Sequence, residues 1–142
     1  IRGDITTALA TVEIERTTVM GDVAVNRLHA TDSIIVGAGE VTDLQHGCFR
    51  FSAALEGKWP HPYESHFYTD FSAIWLVSAT FGDPGFGLLS EAAPAEILRG
   101  AENHAAMGAF HRLYDPIKRD DLRAKLGEFL PFDAIPQIDI EN

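Results

Sequence analysis

Apolar positions along the first third of the chain come in short Val-, Ile-, Thr- and Ala-rich runs, which predict strands rather than helices. Two of these runs, TTVMGDVAVNRL (17–28) and SIIVGAGEVTDL (33–44), match each other at a fixed offset. Thr17 falls on Ser33, Val19 on Ile35, Gly21 on Gly37, Val25 on Val41 and Leu28 on Leu44. One step further, Ser33 falls on Phe49 and Ile35 on Phe51; one step back, Val25 falls on Leu9 and Leu28 on Val12. Fixed-period similarity with glycine corners is the mark of stacked repeats. Each copy is too short to bury its own apolar face, so neighbours must stack to close a core. The expected fold is a short right-handed parallel β-solenoid. An antiparallel β meander with packed helices is the alternative.

The texture changes after residue 53. LEGKWPHPYESHFY carries Gly57, Pro60 and Pro62 and reads as an irregular loop. FSAIWLVSATF (71–81) reads as a buried strand, and GDPGFG (82–87) as a turn in which Pro84 fixes φ and Gly85 gives freedom. Pro94 in a first turn and Gly100 at the end bracket a short helix. Asn103 is the expected N-cap of a helix through Tyr114. Asp115 and Pro116 then cap and open a last helix, with Leu122, Leu126 and Phe129 as its apolar stripe. Asp121 and Lys125 support its exposed face, and Pro131 closes it. The domain reading is therefore coils over 1–53, a loop and strand extension over 54–90, and a helical cap and tail over 91–142.

Composition narrows the partners. The 142 residues are 46% hydrophobic and 23% charged, enough for one domain with a sizeable core. Lys plus Arg is 11 against 21 for Asp plus Glu, a net charge of −10. That field repels phosphate, so neither nucleic acid nor an anionic membrane is an expected partner. No apolar run is long enough to span a bilayer, and no signal-peptide pattern is evident. Cys48 is the only cysteine, which rules out an intrachain disulfide and favours a reducing compartment; the cytoplasm or a place in a larger particle is the expected location. The chain opens IRGDI without methionine, as expected of a piece of something longer or of a chain trimmed to its ordered part.

The ordered set ERTTVMGDVAV, LHATDSIIVG, VTDLQHGCFRFS, FGDPGFGLL, PAEILRGAENHAAMGAFH and DLRAKLGEFLPF resembles a C-terminal module of large, poorly characterised bacterial proteins. Those proteins have right-handed parallel β-helix character, and some lie in phage-tail-like gene neighbourhoods. Ala30 to Ile34, Gly47 to Ser52, Phe81 to Phe86, Gly100 to His111 and Asp121 to Leu130 fall on its motifs, so the match covers most of 12–130. The departures are His104 and Ala105-Ala106, which stand where the pattern reads glycine, serine and glutamate, and the segment from Trp59 to His66. The resemblance brings no catalytic residues. It implies a structural or interaction role with protein partners, the rest of a longer chain or further copies.

Candidate chemistry is sparse. His104 and His111 would share a helix face but stand about 10.5 Å apart along it, too far for one metal, whereas Met107, Phe110 and Tyr114 make a core stripe. No metal and no cofactor is expected. Trp59, His61, Tyr63, Glu64, His66 and Asp70 bring ligand types and stacking rings into one loop, and are the candidate ligand-binding set, for a glycan above all. Asp22, Asp32, Glu40 and Asp43 are the carboxylates that a glycan-cleaving β-helix enzyme would use. Cys48, with no evident base beside it, reads as a buried inert thiol. The RGD at 2–4 and the GDPGFG turn carry no adhesion or phosphate-loop signal. The expected function is a non-enzymatic structural or protein-interaction module, with a carbohydrate-binding or carbohydrate-cleaving domain as the alternative.

Overall fold

The computed structural model describes residues 1–83 and 85–110, which belong to a compact unit bounded by Ile1–Arg112. The helix expected from Asp115 to Pro131, together with His111 and Tyr114, lies outside the described residues. Among the described residues nine strands divide between two sheets. Sheet A holds β1 (Ile5–Glu15), β3 (Val23–Thr31), β5 (Gly39–Val41), β6 (Gly47–Arg50) and β8 (Pro62–Tyr63). Sheet B holds β2 (Thr18–Val19), β4 (Ile34–Ile35), β7 (Ala53–Leu55) and β9 (His66–Tyr68). Every pairing between these strands is parallel. The chain therefore winds through stacked coils of a β-solenoid, and the antiparallel meander is excluded.

The repeat holds where it is strongest and shifts where a loop intervenes. Thr18 pairs with Ile34, Val19 with Ile35, Val25 with Val41 and Val12 with Leu28, as the pattern predicts. Leu28 does not meet Leu44. It meets Gly47, and Ile35 meets Ala54 rather than Phe51. The cause is a side loop after Val41, where Asp43 Oδ1 accepts the amides of Gln45 and His46 at 3.2 and 3.3 Å. That turn takes up three residues, so the spacing between equivalent corner residues rises from 16 to 19. Leu9 does not meet Val25 either, because the register slips between Thr7 and Thr11. Residues 62–68 are not an irregular loop: they stack on β6 and β7 as a fourth coil.

Sheet B is packed on both faces, which explains the unbroken apolar pairs in its strands. Val19, Ile35, Ala54 and Phe67 point between the sheets, where they join Val23, Val25, Leu28, Ala30, Val41 and Phe49. Ile34 and Ala53 point the other way, into a second core with Leu76, Leu89, Ala93, Ile97, Ala101, Ala106 and Met107. Residues 71–110 thus lie as a layer over the outside of sheet B.

That layer is mostly turns. The expected strand at 71–81 is instead a short 3₁₀ turn (Ala73–Trp75) followed by single bridges, Leu76 to Leu89 and Ser78 to Phe86. Only Phe71, Trp75 and Leu76 of its apolar residues join the second core; Ile74, Val77 and Phe81 face solvent. The helix bracketed by Pro94 and Gly100 is present as α1 (Ala95–Arg99), with Ile97 fully buried. The helix expected from Asn103 is absent over 103–110. Asn103 Oδ1 caps the Ala105 amide at 3.1 Å in a local turn, and His104 (φ 60°) and Gly108 (φ 87°) are left-handed, which no helix continues through. The helix that was to carry Met107 and Phe110 as a core stripe and His104 on a shared histidine face therefore does not exist over 103–110, though Met107 is buried as expected.

Candidate functional site

Polar chemistry in this chain concentrates at the coil corners. Arg16, Asp32, Phe51 and Glu64 each turn the chain with φ of 51°, 51°, 47° and 47°. The next residue in every case is a hydroxyl: Thr17, Ser33, Ser52 and Ser65. Ser33 Oγ accepts the Thr17 amide at 3.2 Å, Ser52 Oγ accepts the Ser33 amide at 3.1 Å, and Ser65 Oγ accepts the Ser52 amide at 3.2 Å. Each serine in turn donates to the carbonyl two residues back, at 2.8, 2.6 and 3.0 Å for Thr31, Arg50 and Tyr63. A continuous hydroxyl ladder thereby satisfies amides that the turn takes out of the sheets.

The opposite corner uses glycine and aspartate. Asp4 Oδ1 accepts the Asp22 amide at 2.9 Å, and Asp22 Oδ1 accepts the Ala38 amide at 2.8 Å. A Cβ on Gly21 would overlap the Gly3 carbonyl, and one on Gly37 the Gly21 carbonyl. Close backbone approach, rather than turn freedom, fixes those glycines.

Asp32 joins the solenoid to the outer layer. It is buried, its carbonyl accepts the Gly108 amide at 2.7 Å, and its Oδ1 accepts the Glu102 amide at 2.9 Å. Thr18 Oγ1 accepts the Ala109 amide at 3.1 Å alongside. Arg16 Nε stands 3.8 Å from Asp32 Oδ2, and Arg50 Nη2 stands 3.8 Å from Glu102 Oε1. Nothing in the sequence pattern separates Asp32 from other acidic corner residues, because the outer-layer amides that it holds lie 70 or more residues away.

The carboxylates proposed for glycan cleavage are thus engaged elsewhere. Asp22 and Asp32 hold backbone amides, and Glu40 pairs with Lys58 Nζ at 2.9 Å. Asp43 lies between His46 Nδ1 at 2.9 Å and Arg27 Nε at 2.8 Å. The hydrogen bond to His46, then that to Arg27, holds its carboxyl down at about 2.

The six candidate ligand-binding residues are dispersed. The Trp59 ring stacks in the inner core 4.9 Å from Phe49, over the space left by Gly39, and its Nε1 donates to the Leu55 carbonyl at 2.8 Å. A ring 8% exposed offers no face for a sugar. His61 is exposed, with Nε2 3.2 Å from the Gln45 carbonyl oxygen. Tyr63 is 58% exposed and lies edge-on to Phe51. Glu64 is the exposed left-handed corner residue, and Asp70 is exposed beyond the last coil. His66 belongs to β9 in sheet B, whereas Tyr63 belongs to β8 in sheet A.

Cys48 is not buried as expected. Phe49 takes the inward position and Cys48 the half-exposed outer face of sheet A, with its Sγ 3.4 Å from His29 Nδ1. Glu13 is the β1 partner of His29 in the same row. The row was hidden in the sequence, since register alone brings these three residues together. Among the described residues no three His, Cys, Asp or Glu side chains are placed to hold a metal ion.

Comparison of the chain with family models, with curated proteins and with solved structures finds no match. The functional reading therefore rests on the geometry above.

Proposed function

We propose that this chain is a non-enzymatic structural or protein-interaction module, part of a larger bacterial assembly protein of the β-helix kind it resembles. The solenoid is right-handed, the hand that parallel crossover connections take, and the outer layer with α1 flanks its sheet B. The observation that supports this reading is the use of the polar side chains. Hydroxyls and carboxylates at both corners are committed to amides of neighbouring coils, so they serve stacking. Coils tied to one another in this way suit a stacking or spacing role.

A glycan array and a polysaccharide-cleavage panel test it. The expected result is no specific binding and no cleavage. Binding or cleavage that Tyr63→Ala or His61→Ala abolishes would overturn the reading in favour of a carbohydrate-active domain.

A further inference from the structure

The outer face of sheet A carries a nucleophile beside a base. Strand pairing sets Cys48 of β6 against His29 of β3, and their inward neighbours Phe49 and Ala30 are fully buried. Cys48 Sγ stands 3.4 Å from His29 Nδ1, within reach for the thiol to donate to the imidazole. His29 is exposed and Cys48 half-exposed, so the sulfur is accessible along one side. The charged groups of the same face are Glu13, paired with His29 in β1, then Arg27 and His46, both held by Asp43, and Arg50.

Arg50 is the second, independent part. It lies two residues beyond Cys48 and so shares its face of β6. Its Nε has no hydrogen-bond partner, and its Nη2 stands 3.8 Å from Glu102 Oε1, beyond hydrogen-bonding distance. A guanidinium with donors unspent fits a carboxylate brought from outside.

We propose that Cys48 is a thiol-exchange site, which takes up a small, carboxylate-bearing disulfide as a mixed disulfide, with His29 as base and Arg50 as anion contact. The inference goes beyond the interaction-module reading and does not depend on it. Two observations select the chemistry. Acyl transfer needs donors aimed at a developing oxyanion, yet the amide that follows Cys48, that of Phe49, is turned to the His61 carbonyl at 3.4 Å. Attack at sulfur needs no such donor, only a thiolate and a clear line of approach. In addition, the chain has no second cysteine, so the adduct has no resolving thiol within the chain and persists until an external thiol removes it.

The step balances without a further oxidant. Cys48 gives its proton to His29 Nδ1, and the thiolate attacks one sulfur of the incoming disulfide. A bond from Cys48 Sγ to that sulfur forms and the incoming S–S bond breaks. The leaving thiolate takes the proton from His29, so one thiol and one disulfide enter and one of each leaves.

Intact-mass kinetics on the full, folded chain test the proposal, with oxidised glutathione as the anionic probe and cystamine as the cationic one. The expected result is a single adduct with glutathione, reversed by dithiothreitol and missing from Cys48→Ser. His29→Gln slows both probes by about tenfold or more, as loss of a base requires. Arg50→Gln slows glutathione several-fold and does not slow cystamine, a split that a merely structural role would not produce. Melting temperatures equal to that of the parent chain show that the variants are folded; His29→Asn replaces His29→Gln if the latter melts lower. No adduct before unfolding, or a rate indifferent to loss of His29, overturns the site. A glutathione rate indifferent to Arg50→Gln overturns the anionic ligand class.

Discussion

Replacing Asp32 tests whether the outer layer is held to the solenoid by a few polar clamps or by its apolar contacts alone. Asp32→Ala removes the carboxylate that accepts the Glu102 amide at 2.9 Å. A hydrogen bond to a charged group contributes about 1.5–3 kcal/mol, and its loss leaves a donor without a partner. Alanine must also hold the left-handed backbone at φ 51°, which costs about 1 kcal/mol more than for aspartate. The expected total is about 3 kcal/mol, with no cavity opened in either core cluster because Asp32 belongs to neither. Asp32→Asn keeps an acceptor oxygen and the tolerance for left-handed backbone, so about 1 kcal/mol is expected. Urea unfolding with native-state hydrogen exchange separates global from local effects. The Glu102 and Gly108 amides, both held by Asp32, should lose protection before the sheet A amides do. A loss under about 0.5 kcal/mol for Asp32→Ala, or equal losses for Ala and Asn, would refute the clamp.

Three further outcomes are expected. Ser52→Ala strips the ladder at its middle and leaves the Ser33 amide buried without an acceptor. It should destabilise by about 1–3 kcal/mol in denaturant melts, and Ser65→Ala, at the more open corner, should cost less. Asp43 titrates at about 2 instead of 3.8, so its contribution is complete above about pH 4 and fades as pH falls through about 2. In an NMR titration, His46→Ala should return its midpoint toward 3.8; an unchanged midpoint would show that His46 is not the main cause. Cys48, half-exposed beside His29, should react with iodoacetamide in the folded protein, and more slowly in His29→Gln. Labelling only after unfolding would contradict its outward placement.

The solenoid was legible because its signal is local. Val19 over Ile35 and Val25 over Val41 repeat at one spacing, and glycines recur at the same corner. The fourth coil was hidden because Pro60 and Pro62 look like loop residues. Pro62 nevertheless opens β8, where a missing amide is tolerated at the start of a short strand. The helix expected at 103–110 failed for a different reason. Its spacing of Met107 and Phe110 is helical, but Gly108 has to be left-handed and close to Thr18, where a Cβ would stand 2.5 Å from Thr18 Oγ1. Tertiary packing against a strand 90 residues away decided that backbone. The candidate binding loop dispersed because strand alternation sends Tyr63 and His66 to different sheets, an outcome fixed by the corner at Glu64 and Ser65.

The corner also explains how coils of unequal length stay in register. Successive hydroxyl residues lie 16, 19 and 13 positions apart, yet each makes the same amide bond to its neighbour. The extra length of the third coil is gathered in the loop around Asp43, which holds its own turn through His46 and Arg27. The short fourth coil omits that loop and draws Trp59 over the core instead. Length therefore varies on one side of the solenoid, while the hydroxyl corner and sheet B, packed on both faces, stay constant. Surfaces that change without disturbing the stack are the ones a scaffold can devote to partners. In this chain they are the side loop around Asp43 and the outer face of sheet A.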